Sequence, residues 1–157
     1  FLRFFIQKLY NKYNEGSGRL PTSISERVIS VTGSTEKGKK FGTYDIVMVG
    51  DSITHRWERE GGEGRALFAE MKKKYRILNL GYGADRTEHA IWRLENGELD
   101  GYKAKLFTLT IGTNNRNQGS VEDVAAGIKR ILEVIREKHP SAKIVLMPIF
   151  PCEASPT

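Results

Sequence analysis

Tyr44-Asp45-Ile46-Val47-Met48-Val49 is a short apolar run, and Gly50-Asp51-Ser52-Ile53-Thr54 follows it directly. A β-type run that ends in Gly-Asp-Ser presents a serine hydroxyl at the carboxyl end of a strand. In open α/β sheets that is where ligands bind. Two further segments stand downstream, Asn79-Leu80-Gly81-Tyr82-Gly83-Ala84-Asp85 and Ile111-Gly112-Thr113-Asn114-Asn115. Each also follows a strand-like run. Gly-Asp-Ser alone is common; three such elements in this order are specific.

Around these segments the chain alternates strand and helix. The pattern predicts strands over Asp45–Val49, Arg76–Leu80, Ala104–Ile111 and Lys143–Ile149. Helices are expected over Ser52–Trp57, Arg65–Lys74, Thr87–Leu94 and Ser120–Lys138. In the last, Val121, Val124, Ile128, Ile131 and Ile135 recur at three- and four-residue steps. Ser120 followed by Asp123 has the form of a capping box, with Asp in place of the usual Glu. Continuous apolar strands alternating with helices imply a parallel sheet covered on both faces, a three-layer α/β/α sandwich.

At 157 residues, 39% hydrophobic and 28% charged, the chain fits a globular protein with a sizeable core. No apolar stretch approaches the roughly 18 residues a membrane span needs. The opening Phe1-Leu2-Arg3-Phe4-Phe5-Ile6 is short, broken by Arg3 and lacks a small-residue cleavage site, so it makes a poor signal peptide. Phe1–Tyr13 reads as a short amphipathic helix that Asn14-Glu15-Gly16-Ser17-Gly18 ends. Arg19–Phe41, with a β-like run at Arg27–Val31, reads as a linker or small extension. The net charge of +6 sits mostly in this leader: residues 1–43 hold 8 Lys and Arg against 3 Glu (+5), and residues 44–157 hold 17 against 16 acids (+1). A nearly neutral principal domain argues against nucleic-acid binding. The single Cys152 cannot form an internal disulfide and reads as a bystander.

Residues 44–157 resemble the SGNH (GDSL-type) serine hydrolases, most of all the platelet-activating-factor acetylhydrolase-like and bacterial acetylesterase branch. The segment from Asp85 to Leu99, Asp-Arg-Thr-Glu-His-Ala-Ile-Trp-Arg-Leu-Glu-Asn-Gly-Glu-Leu, is the part most particular to that branch. The resemblance implies a flavodoxin-like strand order. Residues 1–43 lie outside it.

The resemblance also implies roles. Ser52 is the nucleophile, a weak one until a base takes its proton. The backbone N–H groups of Ser52 and Ala84 and the side-chain amide of Asn114 form the oxyanion hole. Ala84 replaces a common glycine: it keeps the N–H donor but lacks easy access to positive φ. Asn115 is the nearest rival to Asn114. Gly81 and Gly83 make the turn after the second strand. Asp51 is expected to accept from nearby backbone N–H groups, and Asp85 to cap its helix through Thr87 or Glu88. Trp92 and Arg93 read as packing and surface residues. No cofactor is implied, and no His, Cys or carboxylate set stands at metal-ligand spacing.

The family takes its base from an Asp-x-x-His segment near the carboxyl terminus, and residues 1–157 contain none. Of the histidines, His55 is three residues after Ser52 on the same helix and His89 falls on the rim of the site. His139 falls at the opposite edge of the sheet. All three are expected at the surface rather than in catalysis. The sequence is therefore expected to be a fragment, with an incomplete sheet and little activity on its own. The parent protein is expected to be an esterase removing a short acyl group, acetyl above all, from a carbohydrate or lipid. Two alternatives are a non-catalytic module that binds a ligand or partner, and a domain docked to an anionic surface by its basic leader.

Overall fold

The computed structural model describes residues 42–150 other than Asn117. The expected leader helix, the run Arg27–Val31 and Cys152 lie outside them. Strand β1 spans Thr43–Gly50 and short helix α1 Ser52–His55. Helix α2 (Arg65–Lys74) then leads to β2 (Ile77–Gly81). Helix α3 (Thr87–Arg93) runs into a π-type turn at Leu94–Glu98 before β3 (Lys103–Thr110). A 3-10 turn (Thr113–Asn115), α4 (Val121–Lys138) and β4 (Lys143–Leu146) complete the described chain. None of the described helices is long and apolar enough to cross a membrane.

The four strands are all parallel, in the order β2-β1-β3-β4. This is the flavodoxin-like order, and the register explains its core. Val47 pairs with Phe107 and Val49 with Leu109, and all four are fully buried. Their neighbours Ile46, Met48, Leu106 and Thr108 point to the other face and are only partly covered.

The order of connections decides where a site forms. The chain leaves β1 in one direction to reach β2, then crosses back over β1 to β3 and on to β4. Parallel crossovers are right-handed, so α1 and α2 lie on one face and α3 and α4 on the other. The reversal falls between β1 and β3. In open α/β sheets the ligand crevice falls at such a switch point, beyond the carboxyl ends of the strands. Gly50 and Thr110 are paired there, with Gly81 on the far side of Gly50.

The elements predicted within the described residues are present, with shifted ends. Helix α1 stops at His55 rather than Trp57, and the chain turns through Arg56–Gly62, where Gly62 N–H donates to Arg59 O at 3.0 Å. Strand β4 ends at Leu146 rather than Ile149. Met147 N–H still reaches Leu109 O at 2.9 Å, but Pro148 has no N–H to continue the ladder. The predicted cap of α4 is there: Asp123 N–H donates to Ser120 Oγ at 3.1 Å, and Ser120 N–H to Asp123 Oδ2 at 3.0 Å.

Helices α3 and α4 meet at Gly127. A Cβ at that position would lie 2.7 Å from Thr87 Cβ and Oγ1. Replacing a helix-interior glycine by alanine normally stabilises by about 0.5–1 kcal/mol. Here the overlap reverses the sign: Gly127→Ala should lower stability by roughly 1–3 kcal/mol, read from the urea unfolding midpoint at unchanged slope.

Candidate active site

Two glycines bring the serine to the crevice. At Gly50 a Cβ would overlap Thr54 Oγ1 and lie 2.5 Å from the Thr110 carbonyl oxygen. At Gly81 it would overlap His55 N and lie 2.7 Å from Thr54 Cβ. Only side-chain-free positions let α1 sit this close over the ends of β1, β2 and β3. Asn79 then ties α1 to β2: its Nδ2 donates to Thr54 O at 2.9 Å, while Gly81 N–H donates to its Oδ1 at 2.8 Å.

Ser52 is the first residue of α1, half-buried, with Asp51 as the N-cap. The first N–H groups of a helix have no intrahelical acceptor and favour negative charge nearby. As expected, Asp51 accepts from the backbone, Ile53 N–H reaching its Oδ1 at 2.9 Å. Asp51 is 1% exposed. Burial pushes its carboxyl above the usual range against the opposing pull of the Ile53 bond, and the negative charge of Asp85 adds to the rise.

The turn after β2 carries the second element. Tyr82 N–H donates to Gly50 O at 3.1 Å, which places the turn beside the serine helix. Ala84 has φ +61°, the left-handed region, and among the described residues it is the one non-glycine there. The sequence raised this difficulty, and the structure meets it by holding Ala84 in the left-handed region. No described acceptor takes the Ala84 N–H, which leaves it available as a donor.

Asn114 and Asn115 divide the third element between them. Asn114 Nδ2 donates to the main-chain carbonyl of Asp85 at 2.7 Å. One amide hydrogen therefore fastens the 110s turn to the loop of Ala84, and the second remains. Asn115 is 6% exposed and faces the other way. Its Oδ1 accepts from Thr87 N–H at 3.1 Å, and its Nδ2 donates to Thr87 Oγ1 and Glu88 Oε2. The two asparagines thus have different partners. Asn115 holds the start of α3, and Asn114 is bonded to the loop that carries Ala84.

Several expectations need correction. Asp85 does not take the Thr87 N–H, which goes to Asn115. Asp85 is fully buried and pairs with Arg93, whose Nε and Nη2 donate to its Oδ2 at 3.1 and 2.8 Å. Arg93 is not a surface residue: it is 3% exposed, and its Nη1 pairs with the buried Glu98. The Tyr82 ring lies 4.2 Å from the guanidinium carbon. Burial, together with the negative charge of Glu98, pushes the Tyr82 hydroxyl up to about 12, so it stays protonated at neutral pH. The sequence carried a signal for Arg93. It stands three residues after the buried Ala90, beside the apolar face, with acids in the turns before and after the helix.

One histidine also differs from expectation. His139 does sit at the opposite edge of the sheet, but it is 7% exposed. Its Nε2 meets Leu99 O at 3.0 Å and its ring packs on Tyr102 and Phe107. Burial lowers its pKa. His89 is partly exposed on the rim, and its Nδ1 accepts Arg86 N–H at 3.2 Å. His55 is exposed on α1.

A parallel sheet of this order, with Ser52, the loop of Ala84 and Asn114 each just after the carboxyl end of a strand, defines a flavodoxin-like α/β domain. Solved structures share the fold. A Streptococcus pneumonia protein provisionally described as a platelet activating factor aligns with TM-score 0.64 and 20% identity, over 95% of this chain and 62% of its own. An SGNH-hydrolase family esterase aligns with TM-score 0.51 and 22% identity, over 73% and 62%. The human platelet-activating factor acetylhydrolase IB subunit alpha2 is 36% identical over 107 residues, 68% of this chain. This chain spans only 44% of that relative's length. Residues 48–157 match the model of the GDSL-like lipase/acylhydrolase family, and the chain belongs to that family.

Two stability predictions follow from the site. Ala84→Gly relieves the left-handed strain and should raise stability by about 0.5–1 kcal/mol, seen as a higher Tm. For Asp51 the folded-state pKa lies above the unfolded one, so its contribution is best in acid and is lost as pH rises through the folded value. Asp51→Asn, which keeps the acceptor for Ile53, should therefore stabilise at pH 7. The gain should vanish as pH falls below the ordinary carboxylate range, as read by urea melts across pH.

Proposed function

We propose that the protein is a serine esterase that transfers a short acyl group, acetyl above all, to Ser52 and then to water. The observation that carries this reading is the 2.7 Å bond from Asn114 Nδ2 to Asp85 O. It brings the asparagine amide onto the loop of Ala84, beside the turn that is itself bonded to Gly50. In this reading the Ser52 and Ala84 N–H groups and the Asn114 amide serve as the three donors of the oxyanion hole.

Ser52 Oγ attacks the ester carbonyl carbon while a histidine takes its proton. The carbonyl oxygen gains the negative charge and is held by the N–H groups of Ser52 and Ala84 and by the free Asn114 amide hydrogen. Fixed donors aimed at this oxygen are the largest single contribution in such reactions. Collapse breaks the bond to the alcohol, which leaves with the proton from the imidazolium. Water, deprotonated by the same histidine, then attacks the acyl-serine and releases the acid. No step calls for a cofactor.

The base is not one of the three histidines of residues 1–157 in this reading. His139 is buried at the far edge, Nδ1 of His89 is engaged, and His55 follows Ser52 on its own helix. An Asp-x-x-His segment in further chain would supply it, with the aspartate orienting the ring. Residues 44–157 then form the larger part of the hydrolase domain, and residues 1–43 an extension to it. The name of the human relative, a platelet-activating factor acetylhydrolase, supports acetyl as the acyl group; the carrier in this reading is a lipid or a carbohydrate. The same histidine geometry favours a second reading, a module that binds an acetylated ligand without turning it over.

Hydrolysis of p-nitrophenyl acetate by the full reading frame separates the two. Turnover should be abolished by Ser52→Ala, and Asn114→Ala should lower kcat by about 10²–10³-fold. Residues 1–157 alone should stay near background. Binding of an acetylated ligand with no turnover, or turnover that survives Ser52→Ala, would refute the esterase reading.

A further inference from the structure

We propose that Arg93 is a positioning residue for the oxyanion hole, acting through Asp85 on the Ala84 N–H and the Asn114 amide; this rests on the esterase reading above. Arg93 touches nothing at Ser52. What it touches is the loop between β2 and α3, at both of its ends. Its Nη2 approaches Leu80 O at 3.5 Å, in the last residues of β2. Its guanidinium lies under the Tyr82 ring. Its Nε and Nη2 converge on one oxygen of Asp85. The stretch so gripped, Leu80 to Asp85, contains the strained Ala84 at φ +61°.

A residue in the left-handed region persists only when its surroundings over-determine it. Here Asp85, the next residue, is fixed twice. Arg93 holds its side chain, and Asn114 holds its main-chain carbonyl. Two donors of the hole therefore depend on where Asp85 sits. The Ala84 N–H is one peptide away from it, and the Asn114 amide leans on its oxygen. If Asp85 moves, both donors lose their aim together.

Stability alone is a weak account of this cluster. Arg93, Asp85 and Glu98 are all essentially buried. Buried ionic groups of this kind are often replaceable by apolar residues with no loss, or with a gain, in stability. What apolar residues could not reproduce is a directional, forked grip on one carboxylate oxygen. Lysine cannot reproduce it either, since its ammonium is a single point and not a planar fork.

Two single variants of the full reading frame test the assignment, Arg93→Lys and Asp85→Asn, each checked for folding by circular dichroism and Tm. Both should lower kcat for p-nitrophenyl acetate by about 10²-fold while KM stays within about threefold, the signature of an interaction made in the transition state. In a cycle with Asn114→Ala, Arg93→Lys should add no more than about threefold to the loss already caused by Asn114→Ala, because both act through one unit. Folded variants that keep kcat within about threefold of the parent, or a loss carried mainly by KM, would overturn the proposal. So would a full multiplicative loss in the cycle, or failure of both variants to fold, which would assign Arg93 to structure alone. If the parent itself shows no turnover beyond Ser52→Ala, the esterase reading has failed instead, independently of Arg93.

Discussion

Contact without side chains, at Gly50 and Gly81, governs the geometry of this domain. These glycines are register partners at the carboxyl ends of β1 and β2. Because neither carries a Cβ, α1 can lie across both strand ends, near the Thr110 carbonyl of β3. The serine at the head of α1 is thereby set by close-packed backbone and not by a flexible loop. A methyl group at either position would push the helix off the strands, and Ser52 with it. The chemistry of the site is built on an absence of atoms.

Upon that platform the site is assembled from pairs of polar side chains that each do two things. Asn79 accepts from its own strand end and donates to α1. Asn115 accepts from and donates to the start of α3. Asn114 fastens one turn to the next and keeps a hydrogen to spare. Amides suit this task because one side chain offers both a donor pair and an acceptor. Carboxylates are used differently. Asp51 caps a helix and Asp85 anchors a buried cation.

Much of this was legible in the sequence, for identifiable reasons. Strand positions followed from Ile46–Val49 and Phe107–Leu109, where apolar runs have no other economical explanation. The three site segments stood out because each pairs glycine with polar residues just after such a run. Ser120 and Asp123 announced their helix start by spacing. Other features were not legible, because they depend on distant partners. Asp85 sits where a helix cap belongs, and only the fold shows that Asn115 has taken that place and freed Asp85 for Arg93. His139 ends a helix beside Pro140, which reads as surface until Leu99, Tyr102 and Phe107 are seen around it. The end of β4 was misplaced because Met147–Phe150 is apolar throughout, and the decisive fact is the missing N–H of Pro148.

The link between Asn115 and Thr87 bears on how the chain reaches this state. Helix α3 has only seven residues, too few to be stable in isolation. Its first N–H finds its acceptor 28 residues further along, on a turn that exists only once β3 has joined the sheet. The loop ahead of α3 therefore cannot settle as the chain is being made. It waits for non-local strand pairing, the slow class of folding event. In a chain leaving the ribosome, Ser52 and the loop ahead of α3 would be present before they are aligned. The alignment waits for the turn that follows the third strand.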